Sequence, residues 1–402
     1  MRRLNYLAAL IALVSYFFAI LSYYRIFYIL VALAFCLSLF LVWAGYMKNP
    51  GMSRHARPLL VFFAYLGMTA FWSEYPRQTL ETVAVDSIFL VVWALFFLLK
   101  SNCDENEVMQ LFRYVPYVVA ITYIYLGLRF GAIRPFDLDT ADSIGATANA
   151  GALWLLASLP FILCLVRRGD KRARWELLMA IFLIAVSESR AGYLLAVFCI
   201  VADLYLHRGS LRRFGADALK YTVLVLVLIG CAWYLPVTRP LIEDGFSRAV
   251  LTSTDDEAAT DIERLAMLRT GWDSFLEHPV LGIGYDSVGQ RVEDSYGVII
   301  VSHNILITLI AEAGWPGFIL FVWVMRTFFK RTTAAMANRD DKNKGFYLAC
   351  IISMVVSLLA GMAHPLLGFP MFYVVLGLGY AAGERPTAIA PIAPCRAVLR
   401  PA

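Results

Sequence analysis

The chain has 402 residues, of which 60% are apolar, 14% aromatic and 16% charged, with a formal net charge of +5. A water-soluble domain carries roughly 45–50% apolar and about 25% charged residues, so this chain holds more apolar surface than a globule can hide. A soluble enzyme, a collagen-like fibre, a disordered chain and a nucleic-acid binder are excluded, and the positive excess is read as membrane topology.

A bilayer-spanning helix needs about 20 predominantly apolar residues. Runs bounded by charge or proline lie near 5–24, 26–46, 58–72, 83–99, 114–133, 148–166, 175–188, 190–206, 219–238, 304–325, 346–363 and 366–382. They predict an all-α integral membrane protein of about 12 transmembrane helices. The first run follows Met1-Arg2-Arg3 as in a signal peptide. It ends in Ser22-Tyr23-Tyr24-Arg25 with no small-residue cleavage site, so retention as the first span is expected.

Lysine and arginine are retained in short cytoplasmic loops. With the N-terminus inside, 25 of the 35 basic residues, including every lysine, fall in inner segments. Both termini are therefore expected in the cytoplasm. Residues 1–238 carry helices one to nine, 239–303 an outer loop, 304–383 helices ten to twelve, and 384–402 a cytoplasmic tail rich in proline and alanine.

The seven cysteines show neither metal-ligand spacing nor a disulfide framework, and packing is their expected role. Asp86 and Asp203 are acids at or within the membrane, open to a structural role or a proton path. Ser187-Glu188-Ser189-Arg190-Ala191-Gly192 interrupts two short apolar runs, which puts Arg190 at the outer boundary. A charge there needs an anion or a wet cavity, and Glu188 is the plain structural partner.

The outer loop is 65 residues long, with twelve acids against five arginines, and the chemistry is expected on this face. Within it, residues 260–276 read as a helix with Ile262, Leu265, Leu268, Trp272, Phe275 and Leu276 on one stripe. Such a helix lies along the membrane surface, with Arg264 and Arg269 at headgroup level or simply solvated. It ends at His278-Pro279, and Gly282-Ile283-Gly284 supplies a permissive turn. Asp255-Asp256-Glu257 lacks the pattern of a calcium loop and reads as a solvated acidic face.

His303-Asn304 opens helix ten. An imidazole with an unperturbed pKa of about 6.5 can accept a proton near neutrality, although a plain polar cap is the commoner role. His278 and His364, each beside a proline, read as turn residues. Glu312 falls on roughly the opposite helix face from His303 and is expected to hold neighbouring helices together.

Three stretches carry a resemblance. They are Ser189-Arg190-Ala191-Gly192; Arg264-Leu265-x-x-x-Arg269-x-x-x-Asp273 leading to His278-Pro279-Val280-Leu281-Gly282-Ile283-Gly284; and Ser302-His303-Asn304 followed by Glu312, Gly314 and Gly317. In order and separation they resemble the O-antigen ligase and polymerase superfamily of integral membrane glycosyltransferases with a GT-C-type fold. The resemblance covers roughly residues 5–382.

The resemblance implies that Arg190 and Arg264, with Arg269 a further candidate, engage an undecaprenyl diphosphate-linked glycan donor, and that His303 activates or orients the acceptor hydroxyl. It also implies an inverting transfer at the periplasmic face of the bacterial inner membrane, with no metal and no other cofactor. A guanidinium fork suits phosphate oxygens. The reading leans to a ligase acting on the lipid A core of lipopolysaccharide, since only one outer loop is large. An O-antigen or exopolysaccharide polymerase and a polytopic transporter are the alternatives. One Arg-x10-Gly match, Arg134 to Gly145, decides nothing, because roughly two arise by chance.

Overall fold

In hydrocarbon every backbone N–H and C=O must be satisfied within its own segment, which favours helices for apolar runs of this length. In a computed structural model, residues 24–43, 51–130, 141–187, 189–208, 255–297, 304–338, 341–362, 364, 366–382 and 384 are described, and among them there is no strand. The helices are α1 (Tyr24–Trp43), α2 (Met52–Met68), α3 (Pro76–Asp86), α4 (Ile88–Asn102), α5 (Glu105–Phe112), α6 (Tyr114–Phe130), α7 (Ala141–Arg167), α8 (Lys171–Val186) and α9 (Arg190–Arg208). After these come α10 (Asp255–Glu277), α11 (Val288–Tyr296), α12 (Gly314–Ala337), α13 (Asp341–Ala360) and α14 (Pro370–Tyr380). Three stretches of the described residues are long and apolar enough to cross a membrane: Pro76–Asn102, Ala150–Arg167 and Asn343–Ala360. The expected first and ninth spans, 5–24 and 219–238, lie outside the described residues.

Local chemistry fixes the helix ends. Pro76 and Pro370 open α3 and α14 at a position where the missing N–H has no helical partner to lose. Asp104 and Glu107 form a reciprocal capping box at the start of α5, and Asp170 accepts from the Arg172 and Ala173 amides at the start of α8. The expected span 83–99 falls within α3 and α4, joined through Ser87, whose hydroxyl donates to the Val83 carbonyl at 2.7 Å.

Small residues let helices approach closely. A Cβ on Gly377 of α14 would lie 2.5 Å from the Trp93 carbonyl oxygen of α4. Phe112 of α5 and Phe161 of α7 stack with ring centroids 3.9 Å apart. Cys103, Cys164, Cys199 and Cys350 are buried as expected, whereas Cys36 is exposed; Cys231 and Cys395 lie outside the described residues. Ile121, Ile124 and Leu128 on α6, and Leu194, Val197 and Val201 on α9, are exposed rather than buried. Such apolar stripes suit acyl chains.

Ion pairs gather at one end of the bundle. Lys100 meets Glu105 at 3.2 Å, and Tyr347 donates to the same carboxylate at 2.7 Å. Burial alone would raise the Glu105 pKa; Lys100 and Tyr347 outweigh it and leave the carboxyl below its ordinary value. Arg113 bridges Asp170 and Glu176. Arg331 bonds Glu384, which also pairs with His55 at 3.2 Å. Arg167 donates to Asp203, which gives that membrane acid a structural partner. These residues come from segments that the distribution of basic residues assigns to the cytoplasmic side, and the outer loop packs at the opposite end.

Candidate active site

The apolar run at 304–325 does not form one continuous helix. Asn304 caps a short turn, Ile305–Ile307, by accepting from the Leu306 and Ile307 amides. A π-helical segment, Thr308–Glu312, follows, and the chain turns at Ala313-Gly314 before α12. Gly314 has φ +62°, a left-handed conformation that glycine adopts without strain.

The turn after α10 fills this break. Ile283 N donates to the Ala311 carbonyl at 3.0 Å and Gly284 N to the Glu312 carbonyl at 2.9 Å. The Glu312 carboxylate, fully buried, accepts the backbone N–H of Asp286 at 2.8 Å and of Val288 at 3.2 Å. It therefore holds the start of α11, rather than a neighbouring helix as its position in the run suggests. The approach leaves no room for side chains. A Cβ on Gly282 would lie 2.4 Å from the Glu312 carbonyl oxygen, and one on Gly314 2.3 Å from that of Val280.

A third segment, residues 69–86, locks the same turn from the other side. Trp72 donates through Nε1 to the Leu281 carbonyl at 3.1 Å, and Glu74 N to the Ile283 carbonyl at 3.2 Å. Gln78 and Thr82 both donate to the Asp286 carboxylate, at 2.9 and 2.7 Å. Asp286 itself has φ +62°, a conformation that a short polar side chain tolerates better than most. Arg291 of α11 bonds Glu74, Glu277 and Ser274, so it is committed to structure. Its fork holds the Glu74 carboxyl below the ordinary range. Burial and the neighbouring Asp294 push the Tyr75 phenol up to about 12.

The candidate residues sit around this lock. Arg269 is exposed on α10. Arg264 belongs to the same helix, in register with the buried Met267, Gly271 and Ser274, and its side chain lies outside the described residues. A Cβ on Gly271 would lie 2.1 Å from Ile307, so this face of α10 rests on the turn that Asn304 caps. His303, the residue before that cap, lies outside the described residues.

Arg190 is the first residue of α9, and its side chain, like all of Glu188, lies outside the described residues. Ser189 accepts from the Gly192 amide at 3.2 Å, capping the helix start. A Cβ on Gly192 would touch Ala152 of α7, and nearby Trp154 meets Phe369 edge-on at 6.5 Å. That loop returns to Gly361, whose carbonyl accepts the Ile305 amide at 2.8 Å. The backbones that carry Arg190, Arg264, Arg269 and the residue after His303 are thus linked at the end of the bundle away from the Lys100–Glu105 pair.

His278 opens the turn as expected, its carbonyl accepting the Gly282 amide at 2.9 Å. Asp86 is buried beneath the lock, where Tyr285 donates to it at 2.6 Å. The lock itself had one signal in the sequence, the Gly282-x-Gly284 pair; nothing marked residues 69–86 as its partner.

Among the described residues the protein is all-helical, with three stretches apolar enough to cross a membrane and the turn after α10 seated in the break of a helix, and these features define its class. Residues 175–322 match the family model described as O-antigen ligase. Arg190, Arg264, Arg269, His303 and Glu312 all fall inside the matched segment. No curated protein sequence matches the chain.

Proposed function

We propose that the protein is an O-antigen ligase of the bacterial inner membrane. It moves a finished polysaccharide from undecaprenyl diphosphate to the lipid A core of lipopolysaccharide at the periplasmic face, within a GT-C-type fold of 12 spans with both termini in the cytoplasm. The observation that carries the reading is the family match over 175–322, which holds every candidate residue and the outer loop together.

The chemistry follows from the residue types. His303 takes the proton of the acceptor hydroxyl, or orients it, as the hydroxyl oxygen attacks the anomeric carbon of the donor glycan. The bond from that carbon to the diphosphate oxygen breaks, and undecaprenyl diphosphate leaves with the electron pair. Attack from the face opposite the leaving group inverts the anomeric centre. Arg190, Arg264 and Arg269 neutralise the charge that develops on the diphosphate.

Purified protein reconstituted with a lipid diphosphate-linked glycan and lipid A core tests this. A ligase moves the chain intact onto lipid A core. Lengthening of the glycan while it stays on undecaprenyl diphosphate would make the protein a polymerase, and no new bond in either mixture would remove the transferase reading. General acid–base catalysis contributes about 10²–10⁴-fold, so His303→Ala is expected to lose at least about 100-fold while remaining inserted. Normal capped lipopolysaccharide in cells carrying only that variant would contradict the role.

A further inference from the structure

We infer that Glu312 is a positioning residue, which sets the register between the arginines of the outer loop and His303; the inference rests on the proposed transfer reaction. Glu312 lies nine positions after His303 in sequence, and its carboxylate is fully buried. Its carboxyl oxygens accept from two backbone amides of the outer loop, those of Asp286 and Val288. A carboxyl group that accepts two N–H groups at the start of a helix caps that helix. Here the cap comes from a different part of the chain, so it ties α11, and through it the end of α10, to the helix break.

Two further features make the tie specific. The π-helical segment Thr308–Glu312 carries one residue more per turn than an α-helix, and this extra residue sets where Glu312 points. Gly282 and Gly314 allow backbone approaches that any Cβ would block. At the break the turn is held through its main chain, by Ala311, Glu312 and the Glu312 carboxyl. Arg264 and Arg269 belong to α10, the helix that leads into the clamp, and Asn304, the residue after His303 in sequence, caps the turn before the break. Displacement by about 1 Å can cost on the order of 100-fold in turnover.

Glu312→Gln keeps the shape and one acceptor oxygen but presents an amide NH2 to the second N–H. The test compares this variant, Glu312→Asp and His303→Ala in the reconstituted full-length protein, reading turnover and amide exchange over residues 281–290. Glu312→Gln is expected to accelerate exchange there and to lower turnover about tenfold or more, with the helices 341–360 and 370–380 still protected. Glu312→Asp, which keeps the carboxyl group on a shorter arm, should fall between it and wild type in both readouts. His303→Ala should abolish transfer with exchange unchanged.

Loosened exchange at full turnover would overturn the inference, because register would then not matter. Lost turnover with wild-type exchange in both Glu312 variants would also overturn it, since Glu312 would act on substrate directly. An active His303→Ala protein would instead fault the transfer mechanism, a separate failure.

Discussion

Tyr285 and Asp86 are 199 positions apart in sequence, yet the phenol donates to the carboxylate at 2.6 Å with both side chains buried. The same Tyr285 gives its backbone N–H to Thr69 Oγ1 at 3.0 Å and takes the Thr79 hydroxyl on its carbonyl at 2.8 Å. One residue of the outer turn is thereby held through three of its polar groups by residues 69–86. The lock has two walls, that segment on one side and the Ala311–Gly314 break on the other.

Removing the phenol leaves a buried carboxyl without its donor, which costs about 1–3 kcal/mol. Tyr285→Phe is expected to lower the thermal unfolding midpoint of the purified protein. Asp86→Asn keeps an oxygen that can accept from the phenol and should cost less. An unfolding scan in which Asp86→Asn is the worse variant would show that the charge, not the hydrogen bond, matters at this site.

The Arg291–Glu74 pair makes loop docking depend on pH. Arg291 holds the Glu74 carboxyl below its ordinary value, so the folded state binds this proton less readily than the unfolded chain. The contribution is complete above the usual carboxylate range and is lost as pH falls through the lowered folded value. Thermal midpoints of wild type and Arg291→Ala should therefore differ at pH 7 and converge in strong acid. A gap that stays constant down to pH 3 would remove Glu74 from the account.

How much of this was legible in sequence depended on whether the interaction was periodic. The apolar stripes of α6, α8 and α9 follow from composition and spacing, and their helices coincide with the expected runs to within a few residues. The helix expected at 260–276 extends over Asp255–Glu277. The π-helical segment at 308–312 was hidden, because the run 304–325 is apolar on both sides of the break. Helices α5 and α11 are too short to stand out as apolar runs; a capping box and the Glu312 carboxyl open them, and each buries a small apolar face, Val108, Met109, Leu111 and Phe112 on α5 and Val288 and Val292 on α11. The role of Glu312 could not be read, since its partners are main-chain amides, and backbone groups carry no sequence signal. Asp203 hid its partner Arg167 for a different reason, 36 positions of intervening chain.

Arg264→Lys separates charge from geometry on the proposed diphosphate site. The ammonium keeps the positive charge and loses the planar fork that can bond two phosphate oxygens at once. With Arg264 in register with the buried face of α10, loss of the fork is expected to lower the donor kcat/KM by about tenfold, the scale of one charge-assisted hydrogen bond. Arg269→Lys on the exposed side should lose less. Donor titrations in which both variants match wild type would take the loop arginines out of diphosphate recognition.

The apolar stripe of α10 is expected to touch lipid. Leu265, Leu268, Trp272 and Leu276 are exposed, whereas Met267, Gly271 and Ser274 face the protein. Water would penalise that exposed row at roughly 25 cal/mol per Å², and the adjoining surface offers an alternative. Trp272 touches Phe275, Phe275 meets Trp315 of α12 at 6.2 Å, and the stripe continues along α12 through the exposed Ile319 and Val322. Aromatic rings at such a junction suit the headgroup level of a bilayer. Spin labels at Leu268→Cys and Leu276→Cys, in a background with the seven native cysteines replaced, should collide with dissolved oxygen more than with a water-soluble nickel chelate. Labels at Arg269→Cys and Asp273→Cys should show the reverse order. Equal nickel accessibility at all four positions would lift α10 off the membrane and take its arginines away from a lipid-borne diphosphate.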